Sequence, residues 1–431
     1  MPSLLAKTLL VAGILGILST AWANNLDAIE RYLSGLQLAA AFDGIVLTLD
    51  ADEVRHQQVF GFSDYAQARP ISADTTYLIG NLSQIVTRAA IGRLIEADKL
   101  SLQSRLADFL PEFPAARRIT ILHLLEHTSG VLDTQGLTWF DTSKPMSLNT
   151  IIDGLSSEPL RFKPGVRKLT SNGGYALLAR IIEIASKQSY TDYIKSEFTD
   201  NGYPSLAHAN IAKANENTVL RYLPGHRFGE RTLASPYCAE NLIGSGSLRA
   251  NAADLTKLIK SAYSGDLLSE SLSSTLFPSP TDGVLELSSG STDVFAHVSI
   301  DLNSEQTITV ISSNAAQPAN LAVNVMALYE GENIVSRPVS LATKRVPSTE
   351  LEMYVGRYKS QNAEIGIQLD KDKEVPLFVQ GQLETTFSLT AEGEYYLPYY
   401  DWLCRFSAYN TEFECGERSG MKTAPILFER M

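Results

Sequence analysis

The sequence predicts an α/β (α+β) fold: an antiparallel sheet flanked by helices, followed by a small antiparallel β-barrel. Three features predict it. Two strand-like stretches near the start, "GIVLTLDADEVRHQQVFGF", are matched far downstream by paired strands in "DVFAHVSIDLNSEQTITVISSN" (Asp293 to Asn314). Between them, helical and extended patterns alternate to about residue 265, so a core sheet built from both ends of this region, with helices packed on it, accounts for the order. From Leu351 onward, short strands separated by turn residues dominate, the pattern of a small barrel.

In chain order, residues 1–23 read as a secretory signal. Lys7 precedes an apolar run from Leu9 to Leu18, and Ala21 and Ala23 stand in an A-x-A arrangement. The run is shorter than the roughly 20 apolar residues of a spanning helix. The mature chain is therefore expected to begin near Asn24 and to be periplasmic or secreted, without stable membrane insertion. Leu26, Ile29, Leu33 and Leu36 then recur at helical spacing, with Asn25 as N-cap. The first strand pair follows as an edge hairpin turning near Ala51 and Asp52. A helix in "PANLAVNVMALYEGE" closes the first domain, residues 24–334. Residues 335–350, with two prolines and few periodic apolar residues, read as a linker. Residues 351–431 hold the strand-like segments "YVGRYKS", "EIGIQLD", "PLFVQG", "TTFSLTA", "EYYLPYY", "CRFSAY", "EFECGER" and "APILFER".

A composition of 44% hydrophobic and 19% charged residues is that of a folded chain, and a net charge of -12 argues against nucleic acid or an anionic membrane as partner. Three cysteines allow at most one internal disulfide. In "CRFSAYNTEFEC" a turn at Tyr409-Asn410 would pair Ala408 with Thr411 and set Cys404 opposite Cys415. Two packed thiols are the alternative, because a register slip would separate them. Cys238 reads as a buried small hydrophobe.

The segment "TTYLIGNLSQIVTRAAIGRLIEADKLSLQSRLADFLPEF" resembles the first motif region of the serine β-lactamase and penicillin-binding-protein-like superfamily. Further segments agree in order: "ITILHLLEHTSGV" resembles the family's helix and turn, "PGVRKLTSNGGYALLARIIEIASKQSYTDYI" its second motif, "IGSGSLRANAADLTKLI" its glycine turn, and "SSGSTDVFAHVSIDLNSEQTITVISSN" its third motif and final strands. The C-terminal module is similar to the lipocalin-like barrel appended to many such hydrolases. This resemblance covers nearly the whole mature chain. It implies a β-lactamase/transpeptidase-like fold with an all-helical subdomain.

It also exposes what the chain lacks. The family's chemistry needs a serine at a helix N-terminus and a lysine three residues later, on one helix face, so that the amine takes the hydroxyl proton. Those positions here are Asn81 and Gln84. An amide is no nucleophile, and glutamine accepts no proton near neutral pH. The second motif's tyrosine falls on Thr170, while its asparagine remains as Asn172; the third motif's cation falls on Ser288, followed by Ser289 and Gly290. No catalytic residue is assigned. Ser83 offers no rescue, because two helical positions rotate it about 200° from the face of Asn81. Ser129, Ser171, Ser288 and Ser289 are hydroxyls near predicted site loops to which the sequence assigns no base; Ser129 reads as a turn residue and Ser171 as a spacer.

A rival pattern, "HLLEH", fits the H-x-x-E-H of zinc peptidases through His123, Glu126 and His127. The helix there is short and ends at once in "TSG", so the histidines read better as buried or capping residues, Glu126 as solvent-facing, and Glu183, the nominal third ligand, as an exposed helix residue. No metal or other cofactor is expected.

Three functions follow. The first is an exported pseudoenzyme whose cleft, lined by Asn81, Gln84, Thr170, Asn172, Ser288, Ser289 and Gly290, holds a peptide, a peptidoglycan fragment or a small polar ligand. These side chains instead satisfying one another is the plain alternative. The second is an active serine hydrolase of D-Ala peptidase, β-lactamase or esterase type with a non-standard nucleophile. The third makes the C-terminal barrel the functional unit and the large domain its platform.

Overall fold

The computed structural model describes residues 26–37, 42–209, 218–220, 222–224, 231–233, 238–278, 280, 283–289, 295–313, 318–329, 331–332, 335–336, 352–360, 364–370, 375–380, 383–386, 388–389, 394–397, 402–407, 412–417, 419–420 and 426–431. The signal segment, Asn25, Gly290 and the Tyr409-Asn410 turn lie outside these residues.

Strands β1 (Gly44–Asp50), β2 (Glu53–Phe60), β3 (Val284–Ser288), β4 (Phe295–Asp301) and β5 (Gln306–Ser312) form one sheet in the order β3-β4-β5-β1-β2, every neighbour antiparallel. Both ends of the first domain thus meet in it, with β2 at one edge and β3 at the other. The β1–β2 turn falls at Ala51 and Asp52, where Ala51 takes a positive φ of 51°. Side chains alternate across a strand, so the sheet divides two cores. Ile45, Leu47, Val298 and Ile311 face the larger one, and Val46, Ile308 and Val310 the smaller.

Six helices position the site: α1 (residues 26–37), α2 (Ser83–Glu96), α3 (Ile121–Leu125), α4 (Asn172–Ser186), α5 (Ala252–Ser264) and α6 (Pro318–Tyr329). Ile29, Leu33 and Leu36 place one face of α1 in the smaller core, against Leu321, Val325 and Leu328 of α6. The larger core gathers α2, α4 and α5 with α3 and its neighbours. Polar caps fix the starts: the Ser171 hydroxyl accepts the Gly174 N–H at 2.9 Å for α4, and Asn251 Oδ1 accepts the Asp254 N–H at 2.8 Å for α5. A hydroxyl pair, Thr256 and Thr309 at 2.6 Å, ties α5 to β5 inside the core.

The C-terminal strands form a nine-stranded antiparallel sheet that curls into a half-barrel. Its two edge strands, Leu383–Thr386 and Ser388–Leu389, are separated in the chain by residue 387 alone. Tyr358, Ile365, Ile367, Phe413 and Phe428 fill its interior. Cys404 and Cys415 face each other across two paired strands and are joined by a disulfide, the pairing that the hairpin register predicts. Val335 and Ser336, assigned from sequence to the linker, instead pair with Ser419–Gly420, and Leu403 reaches the smaller core, so this sheet is docked on the main domain.

The disulfide spans 11 positions of chain, and restricting an unfolded loop of that length contributes about 2–3 kcal/mol. Urea unfolding with and without reductant is expected to show the lower midpoint in reductant. Coincident curves would contradict a stabilising role.

Candidate functional site

Asn81 stands in the 3-10 turn Gly80–Leu82 that leads directly into α2, and its side chain is exposed. Gln84 follows in the first turn of the helix, half-buried. Ser83 points the other way: it is fully buried, and its hydroxyl accepts the Leu248 N–H at 3.2 Å. The helical rotation expected from sequence is therefore realised.

One turn beyond Gln84, Arg88 organises the surroundings. Its guanidinium donates from Nη1 to Glu126 Oε1 at 2.8 Å and the Leu276 carbonyl at 2.9 Å, and from Nη2 to the Leu125 carbonyl at 2.7 Å and Tyr175 Oη at 3.4 Å. The end of α3 is thereby held against α2. Glu126, expected to face solvent, keeps a side chain 38% exposed while one carboxylate oxygen pairs with Arg88 at 2.8 Å. Glu183 is corrected from exposed to half-buried: it pairs with Arg180 at 2.7 Å and accepts the Tyr190 N–H at 3.1 Å.

Immediately after α3 the backbone of His127 turns left-handed, with φ 59°, a conformation more accessible to histidine than to most residues. The turn carries the imidazole between α2 and the second motif. Nδ1 accepts the Ser171 N–H at 3.3 Å, so Nε2 holds the proton and donates to Gln84 Oε1 at 3.1 Å. Burial, first, and then the charges of Arg88 and Lys168 push the His127 pKa down to about 4, against Glu126 and Asp133. The ring is neutral at physiological pH. His123 does not share its setting: Nδ1 accepts the Thr120 N–H at 3.2 Å while Thr120 Oγ1 accepts the His123 N–H, a capping box for α3. With a five-residue helix and a left-handed His127, the two histidines do not share a helix face. Among the described residues no His, Cys, Asp and Glu cluster has metal-binding form.

Thr170 is exposed. Ser171 is spent on capping α4 and donating to the Leu132 carbonyl at 3.0 Å, and Ser129 accepts the Val131 N–H at 3.2 Å. Asn172 is held by Asp133, which accepts its N–H at 3.3 Å, and by Gln135, which accepts from Nδ2 at 3.3 Å. Gly173 lies so close to the loop that a Cβ there would sit 2.4 Å from the Leu132 carbonyl oxygen. Gln84 and the Ser171 backbone are thus joined through His127, and Asn172 is held by the 129–135 loop.

The third motif is placed differently. Edge strand β3 touches the 80–82 turn, but Leu285 and Leu287 face the larger core while Glu286 and Ser288 face α6. Ser288 is exposed, and its hydroxyl meets His297 Nδ1 at 2.7 Å. Ser289 is buried, its N–H bonded to the Ala296 carbonyl at 2.7 Å. The sequence reading missed Arg88, Lys168 and His297. Helical spacing from Gln84 would have raised Arg88, and counting back across the "VLELS" and "FAHVSID" hairpin would have raised His297.

Residues 30–288 match the Beta-lactamase family profile. The chain belongs to the β-lactamase family. It is 24% identical over 432 aligned positions to "Penicillin-binding protein 4*" of Bacillus subtilis (strain 168), covering 90% of this chain and 93% of that protein. It is 23% identical to a teichoic acid D-alanine hydrolase of Staphylococcus aureus, over 58% of this chain and 60% of that one. Among solved structures, the penicillin-binding protein of Bacillus halodurans aligns with TM-score 0.58 and 22% identity, covering 69% of this chain and 98% of that one. The octameric penicillin-binding protein homologue of Pyrococcus abyssi aligns with TM-score 0.60 and 18% identity, covering 94% and 100%. These likenesses establish the β-lactamase/transpeptidase-like fold of this family member. No helix among the described residues is long and apolar enough to cross a membrane.

Because the folded-state pKa of His127 is depressed, the unfolded chain binds the extra proton first. Its contribution is complete above the unfolded value near 6.5, and is lost as pH falls from there to about 4. At about 1.4 kcal/mol per pKa unit, the loss is on the order of 3 kcal/mol. His127→Gln is expected to flatten the acid limb of a denaturant-stability profile between pH 6.5 and pH 4. An unchanged slope would exclude the neutral buried imidazole.

Proposed function

We propose that this family member is an exported, penicillin-binding-protein-like protein of the cell envelope whose helix-borne acylation chemistry is lost and whose cleft serves binding or regulation. The observation that carries this reading is the Gln84–His127 hydrogen bond at 3.1 Å. Where the family places an amine ready to take a proton, an amide oxygen accepts one from a neutral imidazole. Asn81 offers no hydroxyl in front of it, and Thr170 no phenol beside it. The remaining groups, Asn81, Gln84, Thr170 and Asn172, are neutral donors and acceptors suited to the amides and hydroxyls of a peptide, a peptidoglycan fragment or a small polar molecule. The curated relatives, a penicillin-binding protein and a D-alanine hydrolase of teichoic acid, favour envelope polymers bearing such groups. Lys168, whose charge helps lower the His127 pKa, adds positive potential that suits an anionic ligand group.

Incubation of the mature chain with a fluorescent penicillin is expected to give no covalent labelling. Asn81→Ser combined with Gln84→Lys is expected to gain slow labelling, which Thr170→Tyr should speed. Labelling of the unmodified chain at a cleft residue would sink the reading, and lack of any gain in the triple variant would place the loss in cleft geometry rather than in side chains.

A further inference from the structure

Ser288, the last residue of β3, lies directly opposite His297 of β4, and the exposed hydroxyl is 2.7 Å from Nδ1 of an imidazole only 3% exposed. Burial lowers the His297 pKa, and the neighbouring Glu286 carboxylate partly opposes it, which favours the neutral ring. In the tautomer that carries its proton on Nε2, a buried base meets an exposed hydroxyl, the minimal arrangement for an activated nucleophile. Ser83, Ser129 and Ser171 instead bond backbone groups. Behind the ring lies a cavity of about 310 Å³, into which Glu286, Ser299, Met326 and Glu332 also project.

We propose that Ser288 and His297 form a nucleophile–base pair that hydrolyses small neutral or cationic esters from the sheet edge rather than from α2. His297 Nδ1 takes the hydroxyl proton as Ser288 Oγ bonds to the acyl carbon. The bond from that carbon to the ester's alcohol oxygen breaks, and the departing alkoxide takes the proton from His297. Water then attacks the acyl-serine while His297 accepts its proton and returns it to Ser288 Oγ, releasing the acid. Glu286 and Glu332 on the same side disfavour anionic esters by like-charge repulsion. The pair lies on the face of β3 turned toward α6 rather than on α2, so it goes beyond the binding role assigned to the cleft and does not depend on it.

The test uses the full mature chain, a fluorophosphonate probe and p-nitrophenyl acetate. The expected result is one phosphonylated serine, mapped to Ser288 by peptide mass spectrometry, with ester turnover that Ser288→Ala abolishes. His297→Gln should slow both by about 100-fold, the scale of a lost general base. Since His297 is buried, Ser288→Cys gives an independent reading: iodoacetamide should alkylate this thiol faster than the same thiol in a folded Ser288→Cys, His297→Gln chain. Absence of labelling, labelling retained by Ser288→Ala, or equal alkylation rates would each overturn the pair. Penicillin capture reports on α2 and phosphonate capture on β3, so the two readings fail separately.

Discussion

The antiparallel pairing of β1 with β5, from Gly44 opposite Ser312 to Asp50 opposite Gln306, is the constraint on which the rest depends. It joins segments 269 positions apart at Asp43 and Ser312. Closing so long a loop has an entropic cost that only an extensive ladder with buried apolar faces offsets. The contact is tight at its start: a Cβ on Gly44 would fall 2.0 Å from the Ile311 carbonyl oxygen. Just before it the Asp43 carbonyl accepts the Ser312 hydroxyl and the Ser313 N–H, both at 3.0 Å, while its carboxylate accepts the Tyr65 hydroxyl at 2.5 Å. Once this seam is closed, β4 and β3 can only extend the sheet on the far side of β5, which sets β3 as the edge beside the start of α2.

Within that frame, Arg88 does for the helical part what the seam does for the sheet. A largely buried guanidinium needs its donors satisfied, and the partners it finds are the Leu125 and Leu276 carbonyls, Glu126 and Tyr175. Three separate segments are pinned to α2 by one side chain. The left-handed turn at His127 follows immediately, so the imidazole is delivered to Gln84 by the clamp one helical turn away. Tyr175 donates back to the Leu125 carbonyl at 3.2 Å and its ring packs 5.0 Å from that of His127, which fixes the ring from the α4 side as well.

Much of this was legible in the sequence, and the boundary of legibility has a physical cause. Periodicity gave α1 through Ile29, Leu33 and Leu36, and alternation gave the β1–β2 hairpin, because burial of one face selects the side-chain period directly. The Cys404–Cys415 pair followed from counting outward along a hairpin. Asn81 and Gln84 drew attention because the resemblance implies a serine and a lysine at those positions. What sequence spacing does not encode is which distant groups a buried charge will recruit: Arg88 takes Glu126, 38 positions away, as its partner. His297 was hidden for a related reason, since its significance lies in a cross-strand register with Ser288 rather than in any local pattern.

On the proposed reading, the electrostatic setting of Gln84 is one in which an amine would be reactive. The same burial and the same cations, Arg88 and Lys168, that hold His127 neutral would act on an ammonium at position 84 in the same direction. Both disfavour a second positive charge, and a lysine placed there would have its pKa lowered toward the range in which an amine can accept a proton. An amide at this site escapes that penalty and satisfies the imidazole N–H besides. Gln84 therefore relieves a strain that a catalytic lysine would have to bear for the sake of reactivity. On that reading, a chain with no hydroxyl at position 81 to activate has nothing to favour the strained alternative at position 84.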